Sequence, residues 1–351
     1  MVIKDIRGLT ERVQKLYVVN GVNDGQAWEL AEILVEATML GLHSHGLYRA
    51  GMYYGMLKNG SIVANAPIEV IHNNRAVAVV NGNWNFGHLT AKAAANIAVG
   101  LAKEYGIGCC TTKKAHHIGA LSVYTRIIAS KGCAALGYCG VNGNGYFVAP
   151  HGGREGRMAT NPISFAAPTD ELPFSTDFST SMTSEGKLQL LRQSGGKIPP
   201  NLAIDHTGRP VTDPNDYYDP QKGAILPLGE SQGYKGTALS MMTQILSCLL
   251  SGGNWRPFPS EDTEGNALLL IAIDITHFND LDYFKSELRE YAAFIRTSEP
   301  LPGFNEIMLP GDLENKTWRD SQANGLSIDD VTWQGLKSLW DAYSIDYAEL
   351  R

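Results

Sequence analysis

The stretch IGCCTTKKAHHIGALSVYTRIIASKGCAALGYC, from Ile107 to Cys139, decides the fold class. Ile107–Thr111 is a short apolar run and reads as a strand. Ala120–Ser130 reads as a helix and Ala134–Cys139 as a second strand. Strand, helix and strand in succession mark an α/β chain. Toward the C-terminus the pattern continues with a glycine-rich loop (Gly140–Gly156), strands at Ser164–Ala167 and Phe174–Asp177, and a helix from Thr180 to Ser194. Gly195–Gly233 is rich in Pro, Gly, Asp and Asn, and a loop of that length in a compact protein is usually functional. A helix at Gly236–Leu250, a strand at Ala267–Ile275, a helix at Asp280–Thr297 and a helical tail at Asn315–Tyr343 follow.

Toward the N-terminus stand a helix at His88–Tyr105, stopped by Gly106, and strands at Ile68–His72 and Ala76–Asn81. Three helices open the chain. Thr10 is expected to cap the first, which runs to Asn20, and Asp24 the second. The third is expected to carry Gly46 to Leu57 and to end at Asn59-Gly60. The expected layout is a mixed α/β domain over residues 61–312, with the helical region 1–60 packing against a helical tail, 313–351.

Composition excludes several functions. A net charge of -7 with no Lys/Arg run argues against nucleic acid, which needs a basic stripe. The longest apolar run, Ala267–Ile275, is too short to span a bilayer. The charged N-terminus lacks a signal peptide's apolar core. Five cysteines without C-x-x-C spacing suggest neither disulfides nor a zinc site. A cytoplasmic protein is expected, with no bound metal.

HSHGLYR, His43 to Arg49, carries the chemistry. If a helix resumes after Gly46, His45 and Arg49 project from one face. An imidazole exchanges a proton with a hydroxyl or carbonyl near neutral pH, and a guanidinium grips a carboxylate through two hydrogen bonds. Together they suit a small hydroxy or oxo acid. No G-x-G-x-x-G follows a strand, so the usual dinucleotide fingerprint is missing. Three other segments offer backbone amides or a carboxylate for a cofactor. GYKG (Gly233–Gly236) opens a helix, LPGD (Leu309–Asp312) is expected between a short strand and a helix, and TDFSTS (Thr176–Ser181) ends a strand. In AHHIGA, Ala115–Ala120, one of His116 and His117 is expected to be structural.

Motifs in order along nearly the whole chain carry a resemblance. They are HSHGLYR, Asn59-Gly60, GHLTAK (Gly87–Lys92), Gly106–Gly108, HHIGA, ATNPISFAAP (Ala159–Pro168), TDFSTS, IPPNLAIDHTGRPVTDP (Ile198–Pro214), GYKG and PGFNEIMLPGD (Pro302–Asp312). The series resembles the malate/L-lactate dehydrogenase family that lacks a Rossmann domain, which includes ureidoglycolate, sulfolactate, 2,3-diketogulonate and cyclic-ketimine enzymes. The resemblance implies a non-Rossmann α/β fold, NAD or NADP as cofactor, a small carboxylic acid as substrate, and a homodimer with its active site near the subunit boundary. It implies that His45 and His117 are the candidates for proton exchange, the family using either position as acid/base, and that Ser44 and Arg49 contact the substrate. It also implies that Asp177, Phe178, Ser179, Tyr234, Lys235, Pro310, Gly311 and Asp312 line the cofactor. Phe178 stands where the family commonly has methionine, and Asp312 where it commonly has Glu or His. The reaction implied is hydride transfer between the nicotinamide and a 2-hydroxy/2-oxo acid. Reduction of a cyclic ketimine acid is the alternative within enzymes, and a non-catalytic small-acid binder the alternative outside them. His45, His117, Asp177 and Lys235 together argue against a bare binder.

Overall fold

The computed structural model describes residues 2–218, 221–256 and 265–350; residues 219 and 220 of the expected long loop lie outside these. A two-residue strand β1 (Val2–Ile3) precedes helices α1 (Ile6–Val18) and α2 (Asp24–Met39). Their caps are Asp5 and Asn23, one residue outside each helix, rather than Thr10 and Asp24. Each cap oxygen accepts a first-turn amide, from Gly8 and from Gln26. Thr10 lies inside α1, its hydroxyl donating to the Ile6 carbonyl.

Helix α3 (Ala50–Lys58) does not begin at Gly46. Residues 43–49 form two 3-10 turns, His43–His45 and Leu47–Arg49, hinged at Gly46, whose φ -100 and ψ -139 are not helical. The cause is tertiary. The Thr38 hydroxyl of α2 accepts the Leu47 amide at 2.9 Å, and a Cβ on Gly46 would lie 2.2 Å from that oxygen.

The central part runs β2 (Glu69–Asn74), β3 (Val77–Asn81), α4 (Gly87–Tyr105), β4 (Ile107–Lys113), α5 (Leu121–Ala129), β5 (Cys133–Asn142), β6 (Ile163–Ala167) and β7 (Phe174–Phe178). Helix α6 (Glu185–Ser194) starts later than Thr180 because residues 180–182 are tied elsewhere. The Thr180 amide donates to Thr160 and the Met182 amide to Leu226, and Ser184 supplies the cap. The long loop holds β8 (Ala203–Ile204), α7 (Pro214–Tyr217) and β9 (Ala224–Ile225), packed around Val148, Leu188, Ile198 and Tyr217. After it come α8 (Tyr234–Gln244) with a π-turn (Ile245–Leu249), β10 (Gly265–Asp274), α9 (Leu281–Arg296), α10 (Asp312–Asn324), β11 (Leu326–Ser327) and α11 (Asp330–Ala342).

Seven strands form one sheet in the order β2-β3-β4-β10-β5-β6-β7. Only β3 and β4 run parallel; the other pairs are antiparallel, with Gly265 to Asp274 of β10 facing Asn142 to Cys133 of β5. A doubly wound nucleotide fold needs a parallel sheet, so this mixed α/β sheet is of another kind. Helices α4 and α5 bury Ala94, Ala98, Tyr124 and Ile128 with Cys110, Ala135, Leu268 and Leu270 of the sheet. The α8 segment covers the strands elsewhere, its Gln244 amide bonded to both the N–H and the carbonyl of Val141. A separate core joins α1, α2 and α3 to α11 through Leu9, Leu34, Tyr53, Trp333 and Trp340, and β1 pairs with β11. No described helix is long and apolar enough to cross a membrane.

Candidate active site

The turn at 43–49 meets the β4–α5 connection over a cavity of about 330 Å³. His45, Arg49, His117, Asn161, Gly186 and Asn266 are among its walls. The hinge at Gly46 sends His45 and Arg49 to this one cavity without a continuous helix. Arg49 Nε donates to the Ser44 carbonyl at 2.9 Å, and no carboxylate pairs with its guanidinium among the described residues. Its Nη2 lies beside the first turn of α6, where a Cβ on Gly186 would come within 2.8 Å.

His117 is held by its back. The Tyr53 hydroxyl lies 2.6 Å from Nδ1, and the Gly119 amide donates to the same nitrogen at 3.3 Å. An amide hydrogen aimed at Nδ1 requires a lone pair there, which leaves the proton of the neutral ring on Nε2. The Tyr53 hydroxyl therefore donates as well, and burial holds its own proton firmly by pushing its pKa up. Gly119 adopts φ +73 to make the turn, a region that favours glycine.

The His45 ring stacks on His117, centroids 5.9 Å apart and planes 15° from parallel, with Ser44 Oγ 2.9 Å from its Nδ1. Burial, then the positive charges of Arg49 and Lys187, lowers the His45 pKa to about 4. Burial, His45 and Arg49 hold His117 well below its ordinary value too. Both rings are neutral at pH 7 while Arg49 stands uncompensated.

A second cavity of about 480 Å³ adjoins the first, sharing His45, Thr160, Pro162 and Ser184 as walls. Ser44, Asp177, Phe178 and Ser179 face it, with Ser122, Arg126 and Lys187. The Asp177 carboxylate accepts the Ser122 amide at 2.8 Å. Asp177 is exposed at the end of β7 where it lines the cavity, and partial loss of hydration there pushes its pKa up, to about 6. Arg126 donates from Nη2 to Asn315, while its buried Nη1 has no hydrogen-bond partner among the described residues.

The other expected cofactor residues lie apart. Tyr234 and Lys235 open α8 and line neither cavity. Pro310 and Asp312 line a third cavity of about 320 Å³, and Gly311 abuts Ser175. Among the described residues no strand lies between α9 and α10, so LPGD is not a strand-to-helix turn. Its helix start already holds a negative charge: Asp312 accepts the Leu309 amide and two bonds from Arg296 at 2.8 Å. His116 is buried, its Nε2 2.7 Å from the Ser61 carbonyl. Sequence reading missed Tyr53, Arg126, the start of α6 and His88. Tyr53 had a signal, since it follows Arg49 at helical spacing; the others are joined only by the fold.

The chain matches the family model described as malate/L-lactate dehydrogenase over residues 5–337. It is 32% identical to malate dehydrogenase of Pyrococcus horikoshii over 83% of this chain and 82% of that one. The crystal structure of malate dehydrogenase from Entamoeba histolytica superposes with a TM-score of 0.92 at 27% identity, covering 99% of both chains. Delta1-piperideine-2-carboxylate reductase from Pseudomonas syringae superposes at 0.83 and 28% identity, over 97% of this chain and 99% of that one. With the family model matched over residues 5–337 and a relative 32% identical over 83% of this chain, the chain belongs to the malate/L-lactate dehydrogenase family.

Proposed function

We propose that the protein transfers a hydride between NAD or NADP and C2 of a small 2-hydroxy/2-oxo acid. The observation that carries this is the unpaired Arg49 guanidinium in the same cavity as the stacked His45 and His117. Arg49 binds the substrate carboxylate. His117 offers its Nε2–H to the carbonyl oxygen: in reduction that proton passes to the oxygen as the Tyr53 hydroxyl proton moves to Nδ1, and in oxidation the two transfers run in reverse, so that Nε2 takes the hydroxyl proton while Nδ1 returns its own to Tyr53. A carboxylate at Arg49 cancels one of the charges that, after burial, depress both histidines. His45 and Ser44 stand where the cavities meet and orient the reacting carbon.

The second cavity fits a dinucleotide. The unpartnered nitrogen of buried Arg126 suits an anion, and Asp177, Phe178 and Ser179 offer a carboxylate, an apolar ring and a hydroxyl. When bound there, the nicotinamide supplies or accepts the hydride. Tyr234, Lys235 and Pro310 to Asp312 remain candidates for its outer parts. The test is a panel of 2-oxo acids and cyclic imino acids with NADH and NADPH, followed by nicotinamide absorbance. Turnover of at least one 2-oxo acid is expected. If no acid is turned over, and neither dinucleotide raises the melting temperature at saturation, the reading fails.

A second reading, reduction of a cyclic ketimine acid, is favoured by the likeness to the piperideine-carboxylate reductase. Arg49 serves both; the imino acids in the panel separate them. The same proposal includes a homodimer, supported by the exposed apolar row Met241, Ile245 and Leu249 at helical spacing. Light scattering at micromolar concentration tests it, and a monomer of full specific activity would contradict it.

A further inference from the structure

His88 is a buried titratable residue that the mechanism above does not use. It sits in the first turn of α4 with no exposed surface, and neither ring nitrogen has a hydrogen-bond partner among the described residues. Packing alone would be met by an apolar ring, which leaves no polar edge unpaired. What His88 touches is informative. Its ring stands edge-to-face with Tyr53, centroids 4.6 Å apart at 87°. Its Nε2 backs onto the Gly119 turn, 2.9 Å from where a Cβ on Gly119 would stand. Tyr53 and Gly119 are the two groups whose hydrogens meet His117 Nδ1.

We propose that His88 is a positioning residue for His117: by seating the Tyr53 ring and the Gly119 turn, it fixes the His117 tautomer with the proton on Nε2. An imidazole edge can direct an N–H at the face of an aromatic ring, a stronger contact than a C–H edge makes. That contact accounts for a polar ring without a conventional partner. The neighbouring titratable groups are Tyr53, His45 and His117, with the Arg49 charge beyond them. Burial, then the charge on His45, lowers the His88 pKa to about 3, so it stays neutral over the working range and acts by contact, not by titration.

The proposal rests on the reading of His117 as the acid, and its test includes a readout that needs no turnover. Imidazole ¹⁵N spectra of the full chain should show the His117 Nε2–H tautomer in the wild type. In His88→Ala the signals should move toward tautomer averaging, with His88→Phe in between. In kinetics, kcat for a 2-oxo acid should fall about tenfold in His88→Ala, short of the hundredfold or more expected for losing the acid itself. KM should hold, because Arg49 is untouched. In a Tyr53→Phe background His88→Ala should cost little more, since the route through Tyr53 is already cut. If His88→Ala does not fold, His88→Phe and His88→Gln carry the same cycle. Unchanged His117 spectra, or an equal loss with and without Tyr53, would overturn the role of His88. Absence of any turnover in the wild type would instead count against the oxidoreductase reading and leave the spectral test standing.

Discussion

Arg49 holds a charge against the first turn of α6 with no carboxylate to meet it among the described residues, and the proposed substrate carboxylate would balance it. Lysine offers a single mobile charge in place of the fork, so Arg49→Lys should keep part of the activity with a raised KM. Arg49→Ala should lose several kcal/mol in kcat/KM, roughly the cost of leaving a desolvated carboxylate unpaired. An ester analogue of the substrate should be poor with the wild type and nearly indifferent to the substitution. Equal rates with neutral carbonyls in wild type and variant would make Arg49 structural. The histidines differ in a way that kinetics can read. His45→Ala or His117→Ala should lower turnover by roughly 100-fold to 10,000-fold, and His116→Ala, which loses one bond to the Ser61 carbonyl, by much less. Arg49 also depresses both active-site rings, so Arg49→Met should raise the His45 midpoint above about 4 in an NMR titration. His45, His117, Arg49 and Asp177 could be singled out in the sequence because each stands in a short motif, and the fold sets them around two adjoining cavities. Tyr53 and His117 were not legible as a pair, since 64 residues separate them.

At the scale of elements, residues 43–49 show both the reach and the limit of pattern reading. Apolar periodicity located α2, α4, α5 and the central strands, because burial of one face leaves a trace in the sequence. The break at Gly46 leaves no such trace, since it is imposed by the Thr38 hydroxyl on a neighbouring helix. The expected start of α6 at Thr180 failed for the same kind of reason: amides 180 and 182 are committed to Thr160 and Leu226. Gly46 therefore offers a clean test. Gly46→Ala places a carbon 2.2 Å from Thr38 Oγ1, so the hydroxyl must move and the Leu47 amide loses its acceptor. The cost should be about 1–3 kcal/mol, as for overpacking a tight interior site. Urea unfolding should show that loss, with kcat/KM falling further than stability alone predicts because the turn carries both His45 and Arg49. Thr38→Ala in the same background removes the hydroxyl and leaves its place empty. If it restores nothing, the conflict at Thr38 is not what the glycine avoids.

At the scale of the whole molecule, the fold keeps His45, His88 and His117 neutral in one interior region, and that couples stability to pH. Unfolded histidine takes up a proton near pH 6.5, whereas in the folded chain His45 waits until about 4, His88 until about 3, and His117 is likewise displaced well downward. Between these values the unfolded state binds more protons than the folded one, so stability is complete above about pH 6.5 and is lost as pH falls toward 4. Asp177 opposes this, because its folded pKa is raised to about 6 and the folded state holds its proton where the unfolded state has released it. The three imidazoles pull in one direction and the single, exposed Asp177 carboxyl in the other, so the histidines set the sign of the slope. Replacing His88 by phenylalanine removes one imidazole from this balance without opening a cavity. Urea unfolding of wild type and His88→Phe at intervals from pH 7.5 to 4.5 should therefore give curves whose difference shifts in the variant's favour as the pH falls. Above about pH 7 the two should differ by a constant amount. A difference independent of pH throughout would mean that His88 is protonated as readily in the folded chain as in the unfolded one, and its dry, unpartnered setting would have to be abandoned.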